Sequence, residues 1–252
     1  MNDSTTSPFR FITRNKQLQV KSLLISGMVA CLMLFLSFSC SDKNRQHPDP
    51  VELSWDFSPG DEGWNGDFAG YPQGEEALYE LLFEHDTLPL PLDQDQHSLK
   101  LAGNNHNGDL FMFAKKRITG LDANAVYFVT FNIEFASNLP GDSTTQDSPG
   151  KQVYLAAGAT PVEPQKVNGE NNVYEMNIGT SNLSQNGEQM VVLGNFTNGT
   201  SQPDYALNAF ENENPFRGVT NDKGELWVII GIDSAWPAPI TAYINRVKVE
   251  LY

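Results

Sequence analysis

AVYFVTFNIEFA, residues 125 to 136, is the stretch on which the fold turns. Tyr127, Val129, Phe131, Ile133 and Phe135 fall on one side of an extended chain, and Thr130, Asn132 and Glu134 fall on the other. A period of two suits a strand with one buried and one wet face, whereas a helix would scatter the same residues around its surface. The end of the chain repeats the rule, with Tyr243, Val247, Val249 and Leu251 alternating with Arg246, Lys248 and Glu250. Working outward, short apolar runs bounded by Gly, Asn, Asp and Pro predict strands at 53–57, 79–83, 98–102, 109–117, 152–157, 173–178, 189–196 and 225–232. About ten strands without a persuasive long helix make the chain all-β and exclude parallel α/β architectures. With no internal repeat, an antiparallel β-sandwich of the jelly-roll kind is expected, a closed lipocalin-like barrel being its structural rival. Two long loops are expected, at 137–150 and 198–215.

The start of the chain is of another kind. Arg10, Arg14, Lys16 and Lys21 lead into the apolar and small-residue run 23–38, which closes with Ser37-Phe38-Ser39-Cys40. A bilayer span needs about 20 apolar residues, so this shorter run reads as the core of a secretory signal. The pattern resembles the lipobox of bacterial lipoproteins, with Ser37 where that box usually carries Leu. Ser37-x-Ser39 would equally suit an ordinary signal peptidase. The expected organisation is a signal peptide over 1–39, a lipidated Cys40 with a polar tether through residue 50, and a sandwich domain over 51–252. His47 lies in the tether, SDKNRQHPDP, and reads as linker.

Composition narrows the chemistry. The formal net charge is −15 for the whole chain; residues 1 to 40 hold four basic residues against Asp3, which leaves −18 on the exported portion. Such an excess, without Lys and Arg clusters, argues against nucleic acid and against lying flat on an anionic membrane. Both cysteines, Cys31 and Cys40, lie at or before the processing site, so the domain has no disulfide, thiol nucleophile or zinc-cysteine cluster. It must hold itself together by an ordinary core, and a chain of this size buries roughly 70% of its unfolded surface. No G-x-S-x-G elbow, H-E-x-x-H helix or phosphate loop occurs, nor the E-x-D-x-x-E run of jelly-roll glucanases. Asp93-Gln94-Asp95-Gln96-His97 lacks the Gly and distant Glu of an EF-hand loop and reads as a solvated turn. Residues 104 to 109, NNHNGD, read as a β-turn in which His106 matters only if other polar groups converge on it.

Two segments carry a family resemblance. Trp55-Asp56-Phe57, followed by a Gly and acid turn and Gly63-Trp64, resembles the opening of carbohydrate-binding modules and galactose-binding-like jelly rolls. WVIIGIDS at 227–234, with TAYINRVKV at 241–249, resembles their penultimate and closing strands, with Asn245 where Asp is usual. The resemblance implies a sugar site built from loop aromatics, for which Trp64, Phe68, Tyr71 and Trp236 are the candidates. An aromatic face matches the apolar face of a pyranose while carboxylates and amides satisfy its hydroxyls. It also implies a structural calcium between the first and last strands, for which Glu52, Asp56 and Asn245 supply hard oxygens.

The expectation is therefore an extracytoplasmic, lipid-anchored sandwich of the bacterial cell envelope that binds a carbohydrate or similar surface ligand without catalysis. A structural or partner-docking envelope protein is one alternative. A polysaccharide hydrolase or lyase of the same fold is the other, since glycoside hydrolysis needs only two carboxyls about 5 to 10 Å apart.

Overall fold

The structure, a computed structural model, describes residues 49–141 and 148–252. Cys40, His47 and the expected signal peptide lie outside the described residues. Fourteen strands account for about half of the described residues: β1 Val51–Trp55, β2 Asn65–Ala69, β3 Leu82–Thr87, β4 His97–Asn104, β5 Leu110–Ile118, β6 Val126–Ser137, β7 Val153–Thr160, β8 Lys166–Asn168, β9 Tyr174–Met176, β10 Met190–Asn195, β11 Ala206–Glu211, β12 Phe216–Val219, β13 Leu226–Ser234 and β14 Pro239–Leu251. The sole α-helix among the described residues is the single turn Glu76–Tyr79.

All the pairings are antiparallel, and they form two large sheets. The seven-stranded sheet is built on β6 and β14, which pair along most of their lengths. Each long strand is matched on its other side by two short ones in tandem: β6 by β12 and β11, β14 by β4 and β1, with β3 beyond β4. The five-stranded sheet runs β10-β7-β13-β5-β2. The chain passes from one sheet to the other repeatedly, at β1–β2, β2–β3, β4–β5, β5–β6, β6–β7, β10–β11, β12–β13 and β13–β14, and their inner faces close on one core, as a sandwich requires. From the first sheet come Val129, Phe131, Ile133, Phe135, Ile244, Val247 and Val249; from the second come Leu110, Met112, Leu155, Val228, Ile230 and Ile232. The alternation in 125–136 therefore reports burial correctly, as it does for Val247, Val249 and Leu251 at the chain end; Tyr243 instead lies on the outer face with Leu88 and Ala136, because the bulge at Asn245 shifts the pattern.

The five-stranded sheet is also covered on its outer face. Phe111, Phe113, Ala156, Met190 and Ile229 point away from the main core and pack with Ala69, Ile178 and Met176 in a second cluster. The cover is the excursion 161–189, which contains the small β8–β9 hairpin. Burial on both faces explains why Trp227 to Ile232 is continuously apolar rather than alternating.

Several elements differ from expectation. The strand expected at 79–83 begins three residues later, because the turn Glu76–Tyr79 buries Tyr79 and Glu80 then takes a left-handed conformation with φ 49°. The expected loop 198–215 contains β11, whose alternation is hidden by Leu207 on the exposed side and Asn208 on the inner one. The expected strand 173–178 shrinks to β9, three residues long.

Candidate functional site

Three of the four aromatic candidates are core residues. Trp64 is 1% exposed and meets Trp55 and Phe57 edge-on at 5.4 and 6.4 Å, closing one end of the sandwich. Phe68 points inward from β2, because its neighbours Asp67 and Ala69 occupy the outer face. Tyr71 is fully buried between Tyr79 and Tyr174, and its hydroxyl accepts a hydrogen bond from Lys166 Nζ at 3.0 Å. Trp236 is half-buried against the main core, and its carbonyl accepts from Asn105 Nδ2 at 2.9 Å. They form no common exposed platform: a glycine-rich loop at a sandwich end turns a large ring inward to stop the gap.

The calcium candidates also stay apart. Glu52 and Asp56 are four residues apart on an extended segment, about 13 Å by strand rise. Glu52 pairs with Lys248 at 3.2 Å, and Asp56 accepts the Ser58 N–H at 3.0 Å. Asn245, at a bulge in β14, is buried and donates to Glu134 at 2.6 Å and Gln96 at 3.2 Å. These three do not make a calcium cage. His106 likewise gathers no polar cluster: its ring meets Tyr79 edge-on and its Nε2 lies 3.1 Å from the Leu78 carbonyl.

What the structure does assemble is a cleft of about 620 Å³ between the outer face of the five-stranded sheet and the 170–183 part of the cover. Its apolar side comes from Phe111, Met176 and Ile178; Tyr174 also borders it, while its ring packs on that of Tyr71 with centroids 5.1 Å apart. Asp109, Glu170, Glu175 and Asp233 bring carboxylates, and Ser181 a hydroxyl.

Strand register places the two sheet acids. Asp233 on β13 stands between Phe111 of β5 and Tyr154 of β7. Asp109 lies two residues before Phe111, which makes it the diagonal neighbour of Asp233, with Cβ atoms roughly 7 Å apart. Its position is fixed from behind by Asn105, whose Oδ1 accepts the Gly108 N–H at 2.9 Å and whose Nδ2 donates to Ser234 and Trp236 carbonyls, both at 2.9 Å. Asp233 is 8% exposed, and its Oδ2 accepts the Leu183 N–H at 2.6 Å. Burial pushes its carboxyl up to about 6; the Leu183 hydrogen bond works against that shift and the Asp109 charge adds to it. Burial, then the charge of Glu175, also pushes Asp109 upward. Although Asp109 keeps a solvent-exposed edge, the walls around it strip away enough water to disfavour its charge.

The cover is laced to the end of β2. Gly70 N–H donates to the Tyr174 carbonyl at 2.7 Å, Tyr174 N–H to Tyr71 at 2.9 Å, and Gln73 N–H to Asn172 at 2.7 Å. Lys166 on β8 adds an ion pair with Asp67 at 3.1 Å and lies 5.0 Å from the Tyr174 ring centroid. Gly70 has φ 74°, and a Cβ there would fall 1.8 Å from the Asp109 carbonyl oxygen. A glycine is thus required where the cover, β2 and the acid-bearing turn meet.

Sequence reasoning passed over Asp109, Tyr174, Ser181 and Asp233 as site residues. One signal was present: Asp233 is a lone carboxylate closing the most apolar strand of the chain, where a charge needs a reason.

No protein-family model and no curated protein matches the chain. Solved structures resemble it at low identity. The CBM22-1 xylan-binding domain from Paenibacillus barcinonensis Xyn10C is 12% identical, with 81% of this chain and 96% of that one covered at a TM-score of 0.36. The K3 cleaved adhesin domain of Lys-gingipain from Porphyromonas gingivalis is 11% identical, with 79% and 98% covered at 0.40. CBM27-1 of Caldicellulosiruptor saccharolyticus, solved with mannohexaose, is 13% identical, with 78% and 96% covered at 0.34. The fold assignment rests on the strand pairing of the molecule itself.

Proposed function

We propose that the protein binds a carbohydrate in the outer-face cleft without turning it over, and does so outside the cytoplasm, held to a membrane by a lipid on Cys40. The observation that carries the reading is the make-up of the cleft: apolar Phe111, Met176 and Ile178 stand beside Asp109 and Asp233. Rings and apolar side chains match the C–H face of a pyranose, and the carboxylates accept from its hydroxyls. The anchor follows from the sequence reading of residues 10 to 40.

A second reading, glycosidic hydrolysis in the same cleft, has one observation in its favour, the diagonal placement of Asp109 and Asp233 at a separation that suits paired acids. Binding is the better fit because hydrolysis needs one carboxyl held protonated and the other ionised. Here desolvation pushes both the same way.

A glycan array probed with the intact chain in detergent tests both readings. Retention by at least one glycan class is expected, weakened about tenfold by Asp109→Asn, as loss of a hydrogen bond to a charged group worth ~1.5 kcal/mol would do. Failure to bind any glycan overturns the proposal. Release of reducing sugar by the wild type, abolished in Asp109→Asn, puts hydrolysis in its place.

A further inference from the structure

Every charged side chain that lines the cleft is acidic: Asp109, Glu170, Glu175 and Asp233. The nearest lysines are already committed. Lys166 holds Asp67 and the Tyr71 hydroxyl, and Lys115 holds Glu163 at 2.8 Å and the Pro164 carbonyl at 2.7 Å. Among the described residues, Asp233 accepts only the Leu183 N–H, and the Asp109 carboxylate accepts no hydrogen bond. A separate observation concerns an uncharged group. Ser181 lines the same cleft, is 6% exposed, and its Oγ, shut off from solvent, has no partner among the described residues. That hydroxyl is closed to a ligand as it is to water, so the contacts open to a ligand are those of the carboxylates, among them Oδ1 of Asp233, a residue that lies on the outer face by strand register.

We propose that the sugar taken by this cleft carries a free amine: a hexosamine unit whose ammonium lies against Asp233 and Asp109. The inference rests on the carbohydrate reading and names the substrate class within it. A neutral hydroxyl would fill an acceptor but leave the carboxylates uncompensated, whereas an ammonium brings three donors and a full opposite charge. N-acetylation removes that charge. A calcium ion is a poorer match, because it requires six to eight oxygens and no group of three His, Cys, Asp or Glu among the described residues is placed to hold a metal.

Calorimetric titration of the intact chain in detergent with three tetrasaccharides tests the inference: β-1,4-linked glucosamine, its fully N-acetylated form and the corresponding glucose polymer. The amine form is expected to bind at least about tenfold tighter than the other two, with the advantage shrinking as salt is raised. Asp233→Asn should abolish the preference, and Asp109→Asn, at a position with an exposed edge where folding is not at stake, should reduce it severalfold. Equal or weaker binding of the amine form overturns the inference while leaving carbohydrate binding in place, and binding of none of the three removes both. A lysine-rich peptide binding as tightly as the amine sugar would also overturn it, by assigning the acidic lining to a protein ligand.

Discussion

Asp233 is a carboxyl placed where it weakens the fold. Flanked by Phe111 and Tyr154 and roofed by Leu183, it is harder to ionise in the folded protein than in the unfolded chain. As pH rises the unfolded chain releases its proton first. The stability associated with the neutral form is complete below about pH 4 and is lost as the pH climbs through about 6. From its ordinary 3.8 to about 6, that loss amounts to roughly 3 kcal/mol. Asp233→Asn keeps an acceptor for the Leu183 N–H and removes the charge. In urea unfolding it should gain up to about 3 kcal/mol over wild type near pH 7.5 and nothing near pH 4. A gain of the same size at both pH values would show that packing, not ionisation, is responsible. Aromatic residues posed the opposite problem at this scale. Trp64, Phe68 and Tyr71 were visible in the sequence as rings in Gly- and Asp-rich loops, but loop composition carries no information about which way a ring turns, and all three turn inward.

Elements were legible in proportion to the contrast between their two faces. β6 and β14 each present one core face and one polar face, so alternation revealed them. β13 has both faces covered, so its strand was legible while its second cover was not. β8, β9 and β12 are too short to show a period, and the short β11 mixes polar and apolar residues on each face. The site fell in this blind region, because its roof is a loop with a three-residue hairpin and its floor depends on register between strands far apart in sequence. Gly70 offers a test of that roof. Gly70→Ala cannot keep φ 74° without strain and places a methyl against the Asp109 carbonyl. It should lower stability by ~2 kcal/mol and raise amide exchange across 172–176 before it affects β13. Uniform exchange across both segments would mean that the cover and sheet open as one unit.

At the scale of the whole sandwich, the described residues are held by apolar contact and strand pairing, with no covalent bridge among them. Both cysteines precede the described residues, and the two-sheet core spans β1 to β14. Thermal unfolding should therefore give the same midpoint with and without a thiol reductant; a drop of several degrees on reduction would reveal a cross-link on which the domain depends.

The place of β14 has a further consequence for how such a chain is made. It follows the other described strands in sequence and sits in the interior of its sheet, touching β1, β4 and β6. Without it, β1 and β4 have no neighbour linking them to β6, and the sheet is three pieces with open edges: β1 alone, β3 with β4, and β6 with β11 and β12. The seven-stranded sheet therefore closes only when β14 is laid down, and until then the strands it joins keep the unpaired backbone groups on which a misplaced strand could dock.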